Sequence, residues 1–142
     1  GLIVENALAY DIEIVSVEDV DKLNVYQASK QAMEKCISNL MRDKMFALSD
    51  AMPLSYSNHE AINKGDAKSI SIGAASILAK VTRDHLMEEY AKIYPEYGFD
   101  KHKGYVTKMH KEALEKYGPC PIHRKSFAPV LKAMQKQMSF DF

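Results

Sequence analysis

From Ser69 to Tyr94 the sequence runs without a proline and then meets Pro95. One long helix is expected over that stretch, stopped where proline removes a backbone donor. Its first half, Ile70 to Ala79, mixes isoleucine with Gly73, Ala74, Ala75 and Ser76. Small residues let a helix lie close against a sheet or another backbone.

Those strands are short. Leu8, Tyr10, Ile12 and Ile14 alternate with Ala9, Asp11 and Glu13, the period of a half-exposed strand. Met45 to Leu48 reads as a buried strand ending at Ser49-Asp50, and Glu60 to Asn63 as another running into Lys64-Gly65-Asp66. Between them Pro53, Ser55, Ser57 and Asn58 make a loop. Asn24 can cap a helix with Val25, Ala28, Ala32, Met33, Cys36, Ile37 and Leu40 on one face. After Pro95, Tyr97 to Tyr105 reads as a loop rich in glycine and lysine. Thr107 caps a helix closed by Tyr117 and Gly118, and a last short helix follows Pro129. Strands alternating with helices indicate an α/β or α+β sandwich.

At 142 residues the chain supports one domain and little more. Its hydrophobic share of 46% argues against wholesale disorder. No apolar run reaches the ~18 residues of a membrane span, and no secretory signal opens the chain. Cys36 and Cys120 make neither a disulfide framework nor a metal knuckle, so a reduced, cytoplasmic protein is expected.

The net charge of zero hides an asymmetry. Residues 1–66 carry 11 Asp and Glu against 6 Lys and Arg, whereas residues 67–142 carry 8 against 13. Lys101 to Lys136 holds nine cations and two glutamates, interleaved with Tyr105, Tyr117, Phe127 and three histidines. An acidic half and a basic, aromatic half suit a metal site beside a phosphate-binding surface. A solvated helical face accounts for the same charges.

Asp50 ends an apolar strand, and Asp66 sits between a strand and the small-residue helix. Carboxylates converging from strand ends hold hard cations, which take oxygen ligands. Read alone, Asp66 is equally a turn or capping residue and Asp50 the start of a loop. Cys120 and His123 have a metal-like spacing, but proline flanks Cys120 on both sides and no second cysteine pair exists for zinc. His102 and His110 make an equally thin pair. Arg83 and Asp84 lie mid-helix, where neighbours do not face each other but each can bond across to another element.

Several motifs in fixed order carry a family resemblance. Ser71 to Asp84 (SIGAASILAKVTRD) resembles the long-helix signature of bacterial ribonuclease HII. So do Tyr94 to Phe99, His102-Lys103-Gly104-Tyr105, His123 to Phe127, Lys64-Gly65-Asp66, Asp50-Ala51-Met52 and Glu18 to Asn24. The resemblance covers nearly the whole chain. It implies a ribonuclease-H-like α/β fold and a Mn²⁺- or Mg²⁺-dependent endonuclease. Such an enzyme acts on RNA–DNA hybrids and on single ribonucleotides in duplex DNA. It cuts 5′ to the ribonucleotide and leaves a 3′ hydroxyl and a 5′ phosphate.

The resemblance assigns Asp50 and Asp66 as catalytic metal ligands and Asp84 as a supporting carboxylate. Tyr105 matches the tyrosine at the ribose–deoxyribose junction, with Val106 where many relatives have Gly or Pro. Lys64, Lys103 and Arg124 fall to substrate binding. Residues 1–100 would form a partial catalytic core and residues 101–142 a helical substrate-binding region. Gln137, Met138, Phe140 and Phe142 resemble a peptide that docks on the bacterial sliding clamp; a frayed amphipathic helix end is the plainer reading.

The chain departs from the family in lacking the Asp-Glu and Gly-Arg-Gly segment of the first strand. The family's sheet order is 3-2-1-4-5, so an incomplete fold without its first two strands is expected. The isolated chain is expected to be inactive or nearly so. A non-catalytic nucleic-acid-binding module is the competing reading.

Overall fold

The computed structural model describes residues 1–140, with side chains to Met138. Two compact units divide the chain at Lys80 and Val81.

In the first unit, helix α1 spans Leu2–Asn6 and α2 spans Val17–Leu23. The Ser16 side chain accepts the Asp19 N–H, and Glu18 and Asp19 place negative charge in the first turn of α2. Asn24 ends α2 at φ 71° and caps α3 (Val25–Leu40), its side chain accepting from Gln27 N at 3.0 Å. Strands β1 (Ala47–Asp50) and β2 (His59–Ile62) pair in parallel, with Ala47 opposite His59 and Asp50 opposite Ile62. A short helix α4 (Gly65–Lys68) leads into α5 (Ile70–Ile93), within which the unit boundary falls.

Two expectations for this unit are corrected. Residues 8–14 form no strand. A strand needs a neighbour to take its ladder hydrogen bonds, and β1 and β2 pair only with each other. Polar contacts fasten the segment to α3 instead: Lys35 Nζ lies 2.8 Å from Glu13, Asn39 donates to Asp11 at 2.9 Å, and the Cys36 thiol donates to Asp11 O. Leu8 is wholly exposed at 107%. The strand expected at Met45–Leu48 begins two residues later and is not buried, because with one neighbour it hides only Ser49. The architecture is mostly helical α/β with a two-stranded parallel sheet.

The second unit takes the rest of α5, then α6 (Phe99–His102), α7 (Lys108–Tyr117) and α8 (Ala128–Phe140). The loop expected over Tyr97 to Tyr105 contains α6 and a core. Phe99, 2% exposed, packs with Tyr97 and Ala113 against Met87, Tyr90, Ala91, Tyr94, Cys120 and Ile122. Leu114, Val130 and Ala133 form a second cluster joining α7 to α8, with Phe127 and Met134 beside it. Thr107 caps α7 through His110 N, and Gly118 at φ 72° ends it, as expected from sequence. The buried Tyr97 hydroxyl donates to Gly118 O at 2.7 Å, which satisfies the polar end of a core ring. Among the described residues no helix is long and apolar enough to cross a membrane.

Candidate nucleic-acid and metal site

Asp50 sits at the C-terminal end of β1 and Asp66 four residues beyond that of β2, on the side where open α/β sheets bind ligands. Asp50 closes β1, and Ala51 at φ 57° turns the chain directly after it. Beyond β2, Lys64 is left-handed at φ 54° and delivers Gly65 and Asp66 into α4. The Gly65 N–H donates to Asp50 Oδ1 at 3.0 Å. A Cβ on Gly65 would lie 2.6 Å from Ile72 Cδ1 and 3.4 Å from Asp50 Cα, so a larger residue there would have to displace the end of the Ile72 side chain.

Asp66 Oδ1 accepts from Ala67 N at 3.0 Å. Each aspartate thus commits one oxygen to a backbone donor and presents an exposed carboxylate. Such hard oxygen donors fit Mg²⁺ or Mn²⁺. Among the described residues no group of three or more His, Cys, Asp or Glu could hold a metal ion. Asp50 and Asp66 supply two exposed carboxylates on this side of the sheet. Beneath them, the buried Ser49 hydroxyl bonds His59 Nε2 at 2.8 Å across the strands and donates to Met52 O.

In the second unit the segment Lys103-Gly104-Tyr105 is held from two sides. Arg83 Nη1 donates to Lys103 O at 2.6 Å, and its guanidinium lies 5.5 Å from the Tyr105 ring centroid. Lys103 at φ 52° and Gly104 at φ 85° make the turn. A Cβ on Gly104 would meet Arg83 Nη2 at 3.2 Å. Tyr105 is 69% exposed, its ring open to a stacking partner. Lys103 Nζ pairs with Glu88 at 2.9 Å, and Arg124 lies 4.5 Å over the Phe127 ring. Asp84 is half-buried in α5. Gln137 and Met138 lie exposed in the last turns of α8, Phe140 is its final residue, and Phe142 lies outside the described residues.

Behind Tyr105 stand three buried histidines. The His102 and His110 rings stack at 4.3 Å and 8°. His110 Nε2 lies 2.8 Å from His123 Nε2, and His110 Nδ1 lies 2.9 Å from Tyr105 O. Burial lowers the His110 pKa, and burial reinforced by His110 lowers that of His123 to about 4. The sequence weighed His102 and His110 only as a thin metal pair. Their companion His123 comes from the segment after α7, and no local spacing links it to them. Arg83 had been seen as able to bond across to another element, and it does so at Lys103.

The first unit thus carries a short parallel α/β sheet with aspartates at and just beyond its strand ends, and the second a cation-rich helical fold with an exposed tyrosine. Residues 2–130 match the family described as Ribonuclease HII. The chain is 50% identical over 135 residues to Ribonuclease HII of Acholeplasma laidlawii, covering 95% of this chain and 67% of that protein. It is 54% identical over 129 residues to Ribonuclease HII of Bacillus licheniformis, and 53% identical over 130 residues to that of Bacillus subtilis. These matches take in 90% and 91% of this chain and 51% of each Bacillus protein. The chain belongs to the ribonuclease HII family and spans about half to two thirds of the length of these relatives.

Proposed function

We propose that this chain is the C-terminal part of a metal-dependent endoribonuclease that cleaves RNA in RNA–DNA hybrids and at single ribonucleotides in duplex DNA. Cleavage falls 5′ to the ribonucleotide and leaves a 3′ hydroxyl and a 5′ phosphate. The observation that carries this reading is the pairing of Asp50 with Gly65 at the ends of adjacent parallel strands in a chain of this family. In this reading the fold is an incomplete ribonuclease-H-like sheet. Residues 1–100 belong to the catalytic core and residues 101–142 to the substrate-binding region.

Asp50 and Asp66 would hold Mn²⁺ or Mg²⁺, which when bound would supply activation of the attacking water and stabilisation of the leaving 3′ oxygen. Asp50 is a ligand from the strand end and Asp66 a ligand on the water side, while Asp84 supports the site. Lys64 meets a phosphate. Tyr105 stacks on the sugar beside the cut, where the 2′ hydroxyl distinguishes RNA from DNA. Lys103, Arg124 and the basic stretch around them follow the duplex backbone without regard to sequence. Two carboxylates do not organise two ions, so this chain alone does not cut. The two free cysteines suit the reducing cytoplasm. Gln137, Met138, Phe140 and Phe142 form a tail that docks on the sliding clamp, supported by the 63% exposure of Met138. A pull-down unchanged by deleting residues 137–142 ends the clamp reading.

Joining an Asp-Glu and Gly-Arg-Gly segment of the kind the family resemblance implies in front of this chain tests the catalytic reading. Cleavage 5′ to a lone ribonucleotide, lost in Asp50→Asn, is expected. A fused chain that folds and binds duplex without cutting contradicts it. That outcome favours the second reading, a non-catalytic nucleic-acid-binding module, which the nine Lys and Arg from Lys101 to Lys136 support.

A further inference from the structure

All six ring nitrogens of His102, His110 and His123 have partners, and these partners fix the protons. Tyr105 O only accepts, so His110 Nδ1 carries a hydrogen and His110 Nε2, in the neutral ring, carries a lone pair. Cys120 N donates to His123 Nδ1 at 2.9 Å, so His123 bears its hydrogen on Nε2 and donates it to His110 Nε2. Gly104 N donates to His102 Nδ1 at 3.1 Å, and His102 Nε2–H donates to Tyr97 O. The hydrogen bonds therefore run in one direction from Cys120 through His123 and His110 to the carbonyl of Tyr105. The Tyr105 N–H in turn donates to His102 O at 2.9 Å, and Thr107 N donates to the same Tyr105 carbonyl at 2.9 Å.

We propose that His102, His110 and His123 are positioning residues for Tyr105: a proton-ordered relay that pins the backbone of the Lys103-Gly104-Tyr105 segment and releases it on taking up a proton. This rests on the reading of Tyr105 as the residue that meets the sugar.

No lone pair in the relay is open to a proton without breaking a bond. A proton on His110 Nε2 sets two N–H groups head to head. One on His123 Nδ1 faces Cys120 N–H, and one on His102 Nδ1 faces Gly104 N–H. Burial resists the charge as well. Arg83 from α5, Lys111 from α7 and Arg124 line a pocket of about 120 Å³ that reaches His110 and His123. Tyr97 and Cys120 lie against the cluster, each with its pKa raised by burial, to about 12 for Tyr97. Glu96 acts on Tyr97 and Cys120 alone; the charges acting on His110 and His123 come from the histidines themselves. Both rings are therefore neutral at pH 7.

Nitrogen-detected NMR of the ¹⁵N-histidine-labelled chain tests the relay without relying on activity. At pH 7.5, His102 and His123 are expected as Nε2–H tautomers and His110 as Nδ1–H. On acidification the Tyr105 backbone signals move with the same midpoint as His110 and His123. The conservative variant His110→Asn keeps a donor near the Nδ1 position, so Tyr105 keeps its signals and loses the acid transition, whereas His110→Ala displaces Tyr105 already at pH 7.5. Other tautomers, or Tyr105 signals that stay fixed while the rings titrate, overturn the relay in the unmodified chain, whatever the variants do. A DNA duplex with 2-aminopurine beside its single ribonucleotide separates the two readings. If Tyr105→Ala leaves the fluorescence quench on binding unchanged, the substrate reading of Tyr105 fails, and the relay still stands or falls on the NMR result.

Discussion

The Gly65 N–H reaches Asp50 Oδ1 at 3.0 Å, fastening the start of α4 to the end of β1. It adds to the Ala51 N–H bond to Ile62 O, 2.9 Å, which already ties the ends of β1 and β2. Gly65→Ala, with its methyl directed at Ile72 Cδ1, requires the end of that buried side chain to shift. The helix-propensity gain of alanine, about 1 kcal/mol, offsets part of an overpacking cost of about 1–3 kcal/mol. A lower urea midpoint with an unchanged m-value is the expected result.

Asp50→Asn keeps the shape and an oxygen for the Gly65 N–H while removing the charge a cation needs. The fold stays intact by circular dichroism, and Mn²⁺-induced line broadening near Ile62 and Gly65 weakens at least several-fold. Unchanged broadening removes Asp50 from the metal ligands.

Lys103 is occupied by Glu88 and only 22% exposed, so a phosphate has to displace the glutamate. Glu88→Gln frees the ammonium. Duplex affinity rises several-fold at low salt, and the slope of log K against log salt steepens by about one phosphate contact. Fluorescence anisotropy across a salt series reads both.

Burial holds His110 and His123 neutral when folded, with His123 depressed to about 4. The unfolded rings protonate near 6.5. Between those values the unfolded state binds more protons, so stability falls as pH drops from about 6.5 toward 4. The urea midpoint of the unmodified chain declines across that window. In His123→Gln the decline is shallower, even if the starting midpoint is lower.

Much of this arrangement was legible in the sequence because it is local. Asn24, Thr107 and Gly118 announce their helix ends through capping chemistry, and Asp50 and Asp66 stand where apolar runs stop. The alternation at residues 8–14 was misleading because period two reports a face that wants cover and says nothing of the neighbour that must supply it. Likewise the glycines and lysines around Tyr97–Tyr105 masked a core, since Phe99 and His102 are buried by residues from α5, α7 and the segment after it. The histidine relay depends on proton positions set by backbone partners at Tyr97, Gly104, Tyr105 and Cys120, which no spacing in the sequence encodes.

The most direct measurement is incubation of this chain alone, at high concentration with Mn²⁺ or Mg²⁺, with a labelled DNA duplex carrying one ribonucleotide. Salt-sensitive binding without cleavage is the predicted result. Robust cutting 5′ to the ribonucleotide, abolished by Asp50→Asn or Asp66→Asn, contradicts the account, because two carboxylates would then be enough.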